Sequence, residues 1–162
     1  MKISETEKLN LSIIHGSRAY SQWEQDHDLP DYLVVIMYEL LIRGKLTQRE
    51  LVNLSDLPKQ SINKGIKILR DHDHITMTVD PSDKRVRFCQ LTEAGRKYAY
   101  DRLRPLFELE EKTAQAMGTD KMKLLAKLSE EWSTTFWHFL SEERSKNGRI
   151  ILKFSIFTPF FT

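Results

Sequence analysis

A chain of 162 residues, 40% hydrophobic and 30% charged, is long enough for a core-bearing domain with an extension and too apolar to be disordered. Its formal net charge of +2 neither marks nor excludes a nucleic-acid partner, so what matters is where the charges sit. The single cysteine, Cys89, excludes an internal disulfide framework. No apolar run approaches the roughly 18 residues that span a bilayer, and the start Met1-Lys2-Ile3-Ser4-Glu5 lacks a secretory signal pattern, which predicts a cytoplasmic protein with no membrane partner.

From Glu5 to about Gln25, Leu9, Ile13, Tyr20 and Trp23 recur at helical spacing and predict an amphipathic helix. Pro30 suits the first turn of a second helix carrying Leu33, Val34, Met37, Leu40 and Leu41, which Gly44 ends. Thr47-Gln48-Arg49-Glu50 fits a capping box, with Leu46 and Leu51 placed as its hydrophobic staple. The helix it opens is short, because Ser55-Asp56 follows Leu54 and Pro58 opens another. In that next helix Ile62, Ile66 and Leu69 share one side; Lys59, Gln60, Ser61, Asn63, Lys64 and Lys67 fall on the other or at the exposed start.

After residue 74 the period changes. Ile75 to Val79 alternates and is β-branched, Arg85 to Leu91 reads as a second strand, and Asp80-Pro81-Ser82-Asp83 supplies the turn of a basic-tipped hairpin. Thr92 then caps a long helix to about Met117, with Pro105 expected to bend it. Gly118 breaks the chain, and Thr119 starts a last helix with Met122, Leu125, Leu128, Trp132, Phe136 and Phe139.

Charge is segregated along this order. Between Arg43 and Arg70 stand seven basic residues (Arg43, Lys45, Arg49, Lys59, Lys64, Lys67, Arg70) against Glu50 and Asp56, whereas the first 31 residues carry Glu5, Glu7, Glu24, Asp26, Asp28 and Asp31. A basic middle in a near-neutral chain is suited to phosphate. Two helices joined by a tight turn and followed by a basic hairpin make a winged helix-turn-helix. Its second helix must bury one face and offer short polar side chains to a groove about 12 Å wide. Gln60, Ser61 and Asn63 suit base edges, while Lys59, Lys64 and Lys67 suit phosphates. The same residues would also make the solvated face of an ordinary surface helix.

The wing carries a more specific signal. Asp80-Pro81-Ser82-Asp83-Lys84-Arg85, five further residues, then Leu91-Thr92-Glu93-Ala94-Gly95, resembles the wing signature of the MarR family of transcription regulators, and helix order and lengths match over about residues 5 to 146. The resemblance implies a mainly α fold with a small β-hairpin wing, a winged helix-turn-helix flanked by N- and C-terminal dimerisation helices. It implies a homodimer binding double-stranded DNA, with Asp83 bracing the wing and Arg85 reaching the minor groove beside Lys84 and Arg87. Ser82 stands where the family often has arginine, and Pro58 where many members have a Ser or Thr cap.

On this reading residues 1–30 form a dimerisation helix, 31–91 the DNA-binding lobe, 92–148 the C-terminal dimerisation helices, and 149–162 an apolar tail. Trp132, Phe136, Trp137, Phe139 and Leu140 independently give the last helix more apolar surface than one stripe requires, and Trp23 and the first helix could oppose them. The function expected is a DNA-binding regulator, a repressor or activator; the alternative is a winged-helix protein-protein module whose basic helix docks an acidic partner.

Many relatives answer small aromatic ligands, for which His15, Arg18, Tyr20, Trp23, Met37 and Tyr38 are the candidate pocket here; core packing accounts for them equally well. Cys89 is a redox-sensor candidate or, as strand cysteines more often are, a small buried apolar residue. His72 and His74, in Asp71-His72-Asp73-His74, are potential metal ligands at a helix end where such residues also occur for capping and turns. With no ligand set of regular spacing, no metal or other cofactor is expected, and with no nucleophile–base pair or phosphate loop, no enzyme activity.

Overall fold

The computed structural model describes residues 3–147; the apolar tail at 149–162 lies outside them. The elements in order are α1 (Glu5–Asp26), α2 (Asp31–Arg43), β1 (Lys45–Thr47), α3 (Gln48–Leu54), α4 (Lys59–Asp71), β2 (Ile75–Val79), β3 (Arg87–Leu91), α5 (Glu93–Met117) and α6 (Thr119–Lys146). The chain divides after Leu106 into two compact units.

In the first unit the helix boundaries follow local chemistry. Ser4 and Glu7 close a capping box at the start of α1, Ser4 Oγ accepting from the Glu7 N–H at 3.2 Å and Glu7 accepting from the Ser4 N–H at 2.7 Å. Pro30 and Pro58 sit at the N-caps of α2 and α4. Gly44, at φ 79°, ends α2 in the left-handed region where a side chain is costly. The Thr47–Glu50 capping box forms as expected: Thr47 Oγ1 accepts from the Glu50 N–H at 3.1 Å, and the Glu50 carboxylate accepts from the Thr47 N–H at 2.6 Å.

The sheet has three strands in the order β1-β3-β2, all antiparallel. The third strand, β1, pairs Leu46 with Cys89 and fastens the helix-turn-helix to the wing. Strand β3 starts at Arg87, two residues later than expected from Arg85. The chain there still belongs to a turn, in which the Val86 N–H donates to the Asp83 carbonyl at 2.9 Å and the Asp80 N–H to the Val86 carbonyl at 3.0 Å.

The core lies between α2, α4, the sheet and the first part of α5. Ile36, Met37, Leu40, Leu51, Ile62, Cys89, Ala99 and Leu103 have no accessible surface, and Trp23, Leu33, Leu69, Ile75 and Leu106 very little. Each large apolar side chain so buried contributes roughly 1.5–3 kcal/mol relative to leaving it in water. Helices α2 and α4 approach closely at Gly65, where a Cβ would stand 2.5 Å from Ile36 Cδ1 and 3.0 Å from Tyr32 Cδ2. That closeness explains a glycine inside α4 despite its cost of roughly 1 kcal/mol against alanine.

The start of α5 meets the end of α4 through backbone. Thr92 Oγ1 accepts from the Gly95 N–H at 2.9 Å and donates to the Asp73 carbonyl at 2.7 Å, while the Thr92 N–H donates to the His74 carbonyl at 3.0 Å. Helix α5 continues through Pro105, which lacks the N–H that would otherwise bond the Asp101 carbonyl.

In the second unit, α6 follows Gly118 (φ 92°) and buries none of its residues. Leu124, Leu125, Leu128, Trp132, Phe136 and Phe139 are exposed, with Trp132 and Phe136 stacked at 6.5 Å between ring centroids. No helix among the described residues is long and apolar enough to cross a membrane.

A Cβ on Gly95 would lie 1.8 Å from the His74 carbonyl oxygen and 2.6 Å from its carbon, and backbone cannot rotate out of the way as a side chain could. Gly95→Ala is therefore expected to lower stability by at least about 2 kcal/mol. Chemical denaturation of the two proteins measures this, and an unchanged midpoint would show that the contact relaxes without cost.

Candidate nucleic-acid interface

Helix α4 turns its apolar face inward at Ile62, Gly65, Ile66 and Leu69. Its outward residues are the polar set. Lys59, Gln60, Lys64 and Lys67 are exposed, and Ser61 and Asn63 are half-buried. Lys64 lies over the Tyr32 ring, its Nζ 5.3 Å from the centroid, and Lys67 pairs with Asp71 one turn on. Asn63 is tied to the neighbouring helix, because Gln48 Nε2 donates to Asn63 Oδ1.

The wing turn is organised by two carboxylates. Asp80 Oδ1 accepts from the Ser82 N–H at 2.7 Å and from the Ser82 hydroxyl at 2.6 Å. These bonds hold the Asp80 carboxyl below its ordinary range. Ser82, which stands where the resembled family often has arginine, stays exposed and closes the turn through Asp80. Asp83 Oδ1 and Oδ2 accept from Arg85 Nε and Nη2, both at 3.1 Å, and Oδ1 also accepts from the Arg85 N–H at 3.0 Å. The guanidinium contact, then the backbone bond, hold the Asp83 carboxyl low as well. The Arg85 side chain is 91% exposed, so this fork sets its direction without burying it. Lys84 and Arg87 are exposed beside it.

Between the wing base and the helix-turn-helix lies an open depression of about 650 Å³ lined by Thr47, Gln48, Arg49, Val52, Lys59, Arg85, Val86 and Arg87. Four of these eight are cations and none is acidic. The nearest acid in sequence, Glu50, is turned to the Thr47 cap. Sequence reasoning places Lys59, Arg85 and Arg87 in the interface and passes over Gln48 and Arg49. Arg49 is visible there only as one of seven basic residues, since the depression brings it together with Arg85 and Arg87, which are distant in sequence.

The candidate effector residues are dispersed. His15, Arg18 and Tyr20 are exposed on α1, Tyr38 is half-buried, and Trp23 and Met37 belong to the core. Trp23 stacks on His27 at 4.2 Å. The hollow at the end of α1 is lined by Ser21, Glu24, Gln25, Asp28, Leu29, Pro30 and Asp31, and by none of the six.

His72 and His74 stack on one another at 6.1 Å, His74 lies against Tyr98 at 4.2 Å, and His72 Nδ1 is 2.8 Å from the Ile68 carbonyl oxygen. Burial, then the nearby His72, lowers the His74 pKa. Among the described residues no cluster of three or more metal-ligating side chains forms.

Cys89 has no accessible surface and sits 3.4 Å from Met77 Sδ. Burial pushes its thiol from the ordinary 9.0 up to about 11, the opposite of what a reactive thiolate needs. Because the folded state favours the protonated thiol, its stabilising contribution is whole below about pH 9 and fades as pH rises through about 11. Cys89→Ala is expected to remove that part of the alkaline loss of stability, seen as a flatter melting-temperature profile between these pH values. Profiles of the two proteins that fall in parallel would contradict it.

No protein-family model matches the chain. A segment of 94 residues, 57% of the chain, is 30% identical to an uncharacterised HTH-type transcriptional regulator, YwaE, of Bacillus subtilis. The matched part spans about half (54%) of that relative's length. Among solved structures, a MarR family regulator from Neisseria meningitidis superposes with a TM-score of 0.71 at 23% identity, covering 87% of this chain and 99% of the other. NadR in complex with 4-hydroxyphenylacetate superposes at 0.70 with 20% identity over 82% and 96% of the two chains. Wild-type MarR from E. coli does so at 0.59 with 14% identity over 81% and 97%. The chain has the winged helix-turn-helix fold of the MarR family regulators.

Proposed function

We propose that the chain is a sequence-specific regulator of transcription that binds double-stranded DNA through α4 and the wing. The observation that carries this reading is the acid-free, four-cation depression between α3, the start of α4 and the wing, beside an outward polar helix face. Spaced cations neutralise successive phosphates, and here only Arg85 of the four shares its charge with a carboxylate, that of Asp83, among the contacts described; short amides and hydroxyls on a helix suit base edges. The fold shared with DNA-binding regulators supports the same conclusion, and nothing in the reading requires an enzyme or a cofactor.

In this scheme residues 31–91 are the DNA-binding lobe, and 1–30 and 92–148 supply dimerisation helices. The regulator acts in the cytoplasm as a homodimer. Exposed Leu9, Leu11, Ile13 and Ile14 on α1 and Phe136 and Phe139 on α6 support the assembly, since apolar surface of this extent marks an interface. A two-fold dimer offers two recognition helices about 34 Å apart and prefers a near-palindromic site. Repression is the mode proposed, relieved by a small aromatic effector of the kind named for NadR, with His15, Arg18, Tyr20, Trp23, Met37 and Tyr38 as the residues to probe.

Fluorescence anisotropy against DNA from upstream of its own gene and against scrambled DNA, at several salt concentrations, tests the reading. Specific binding with a log–log salt slope of about −0.9 per neutralised phosphate is expected. Weak, equal, sequence-blind binding to every duplex, including those selected from random DNA, would reject it in favour of a protein-docking role. Arg49→Ala is expected to weaken binding to all duplexes alike and to make the slope shallower by about 1. Arg85→Ala should weaken the specific complex roughly ten-fold, a loss near the lower part of what one good DNA contact is worth; unchanged affinity would remove Arg85 from the interface. Sedimentation supplies the assembly test: Phe136→Glu with Phe139→Glu should yield monomers that bind DNA poorly, and a monomeric parent protein would refute the dimer.

A further inference from the structure

We propose that Gln48 and Asn63 act as one hydrogen-bonding unit that makes Asn63 a reader of acceptor edges, selecting guanine over adenine at its base pair. The inference rests on the DNA-binding reading above and adds to it the base that this position recognises.

An asparagine reads adenine with both ends of its carboxamide: Oδ1 accepts from the N6 amino group while Nδ2 donates to N7. Here Gln48, the first residue of α3, donates its Nε2–H to Asn63 Oδ1 across the turn between the helices. The carboxamide is planar, so an oxygen held by α3 is drawn out of the two-point geometry that adenine requires. What remains for DNA is the Nδ2 amino group, a donor. Guanine offers two acceptors in the major groove, N7 and O6, and adenine offers N7 beside a donor that Nδ2 would meet unfavourably.

The surroundings point the same way. Lys59, one turn before Asn63, and Lys64, next after it, are exposed cations on α4, and positive charge favours the electron-rich N7 and O6 edge. Gln48 itself lines the cationic depression, so the unit stands where phosphate contacts and base contacts meet. Both amides are half-buried, which limits the rotamers from which Asn63 could present its oxygen instead.

Selection from random duplexes followed by anisotropy on single-base variants tests this with the full-length protein. The parent should prefer guanine to adenine roughly ten-fold at one position of each half-site. Gln48→Met keeps the length and removes the donor; it should bring that ratio to one or below, at that position alone, with the salt slope unchanged. Gln48→Ala is the second variant and should behave alike, circular dichroism confirming that both fold. Asn63→Ala should abolish the preference at the same position, and adding Gln48→Met to it should change nothing more, as one coupled unit requires. Adenine preferred by the parent, or a guanine preference intact in Gln48→Met, overturns the pair while leaving DNA binding standing. No selected site at all overturns the DNA-binding reading and this inference with it.

Discussion

The wing of a winged helix is a hairpin with little core of its own, so its direction must be imposed from its base. In this protein the imposing contact is backbone on backbone, where the first turn of α5 lies against the corner formed by Asp73 and His74. Thr92 bonds both of their carbonyls, and Gly95 presents no Cβ to the His74 carbonyl. Asp73, at φ 57°, makes the corner in the left-handed region that aspartate tolerates. From that corner β2 leaves toward the tip and β3 returns, with β1 adding a second edge through Leu46 and Cys89. The cationic depression exists because this anchoring fixes Arg85 and Arg87 opposite Arg49 and Lys59.

Electrostatics then depends on which charges are already engaged. A net charge of +2 is uninformative because pairs cancel within it. Arg43 pairs with Glu39 at 2.6 Å and Lys67 with Asp71, and Lys45 lies over the Phe88 ring at 4.1 Å. The Lys67–Asp71 pair is exposed and contributes little to stability, whereas Arg43–Glu39 is half-buried. Their consequence is to shape the field. The acids near the interface are already engaged: Glu50 by a helix cap, Asp80 by the turn, and Asp83 by Arg85, which itself lines the depression. The Asp83–Arg85 fork differs from the rest, since it orients a cation that stays almost wholly in solvent. Such preorganisation lowers the ordering cost when an arginine enters a narrow groove.

Much of this is legible in the residues because local rules govern it. Capping boxes, proline at helix starts, Gly44 and Gly118 at chain breaks, and the change from helical to alternating period place every helix and the hairpin within a few residues. What escapes are features joining distant segments. Strand β1 is three residues long, too short to show a period, and Leu46 already has a sufficient role as a capping staple. The two-residue delay of β3 arises because turn hydrogen bonds capture Asp83 to Val86, which alternation alone cannot reveal. Gly65 reads in sequence as a helix weakness and becomes intelligible only beside Ile36 and Tyr32. The polar face of α4 is visible as a list of side chains, but the tie from Gln48 to Asn63 crosses fifteen residues.

The apolar residues outside the core are concentrated on two helices. A folded chain can expose single leucines without consequence, yet α6 exposes three leucines, a tryptophan and two phenylalanines while burying nothing. Helix α1, long and well capped, buries only Trp23. Helical propensity alone holds segments of this length weakly, because most helix stability in proteins comes from packing an apolar face. Helices of 22 and 28 residues with so little packed surface fit the proposed dimer, in which a second copy of the chain supplies apolar surface to each. In that proposed dimer, assembly would be a condition for order in α1 and α6. The proposed dimer would then couple the spacing of its two α4 helices to the integrity of those apolar faces, a route by which a disrupted interface would reach α4 without touching it.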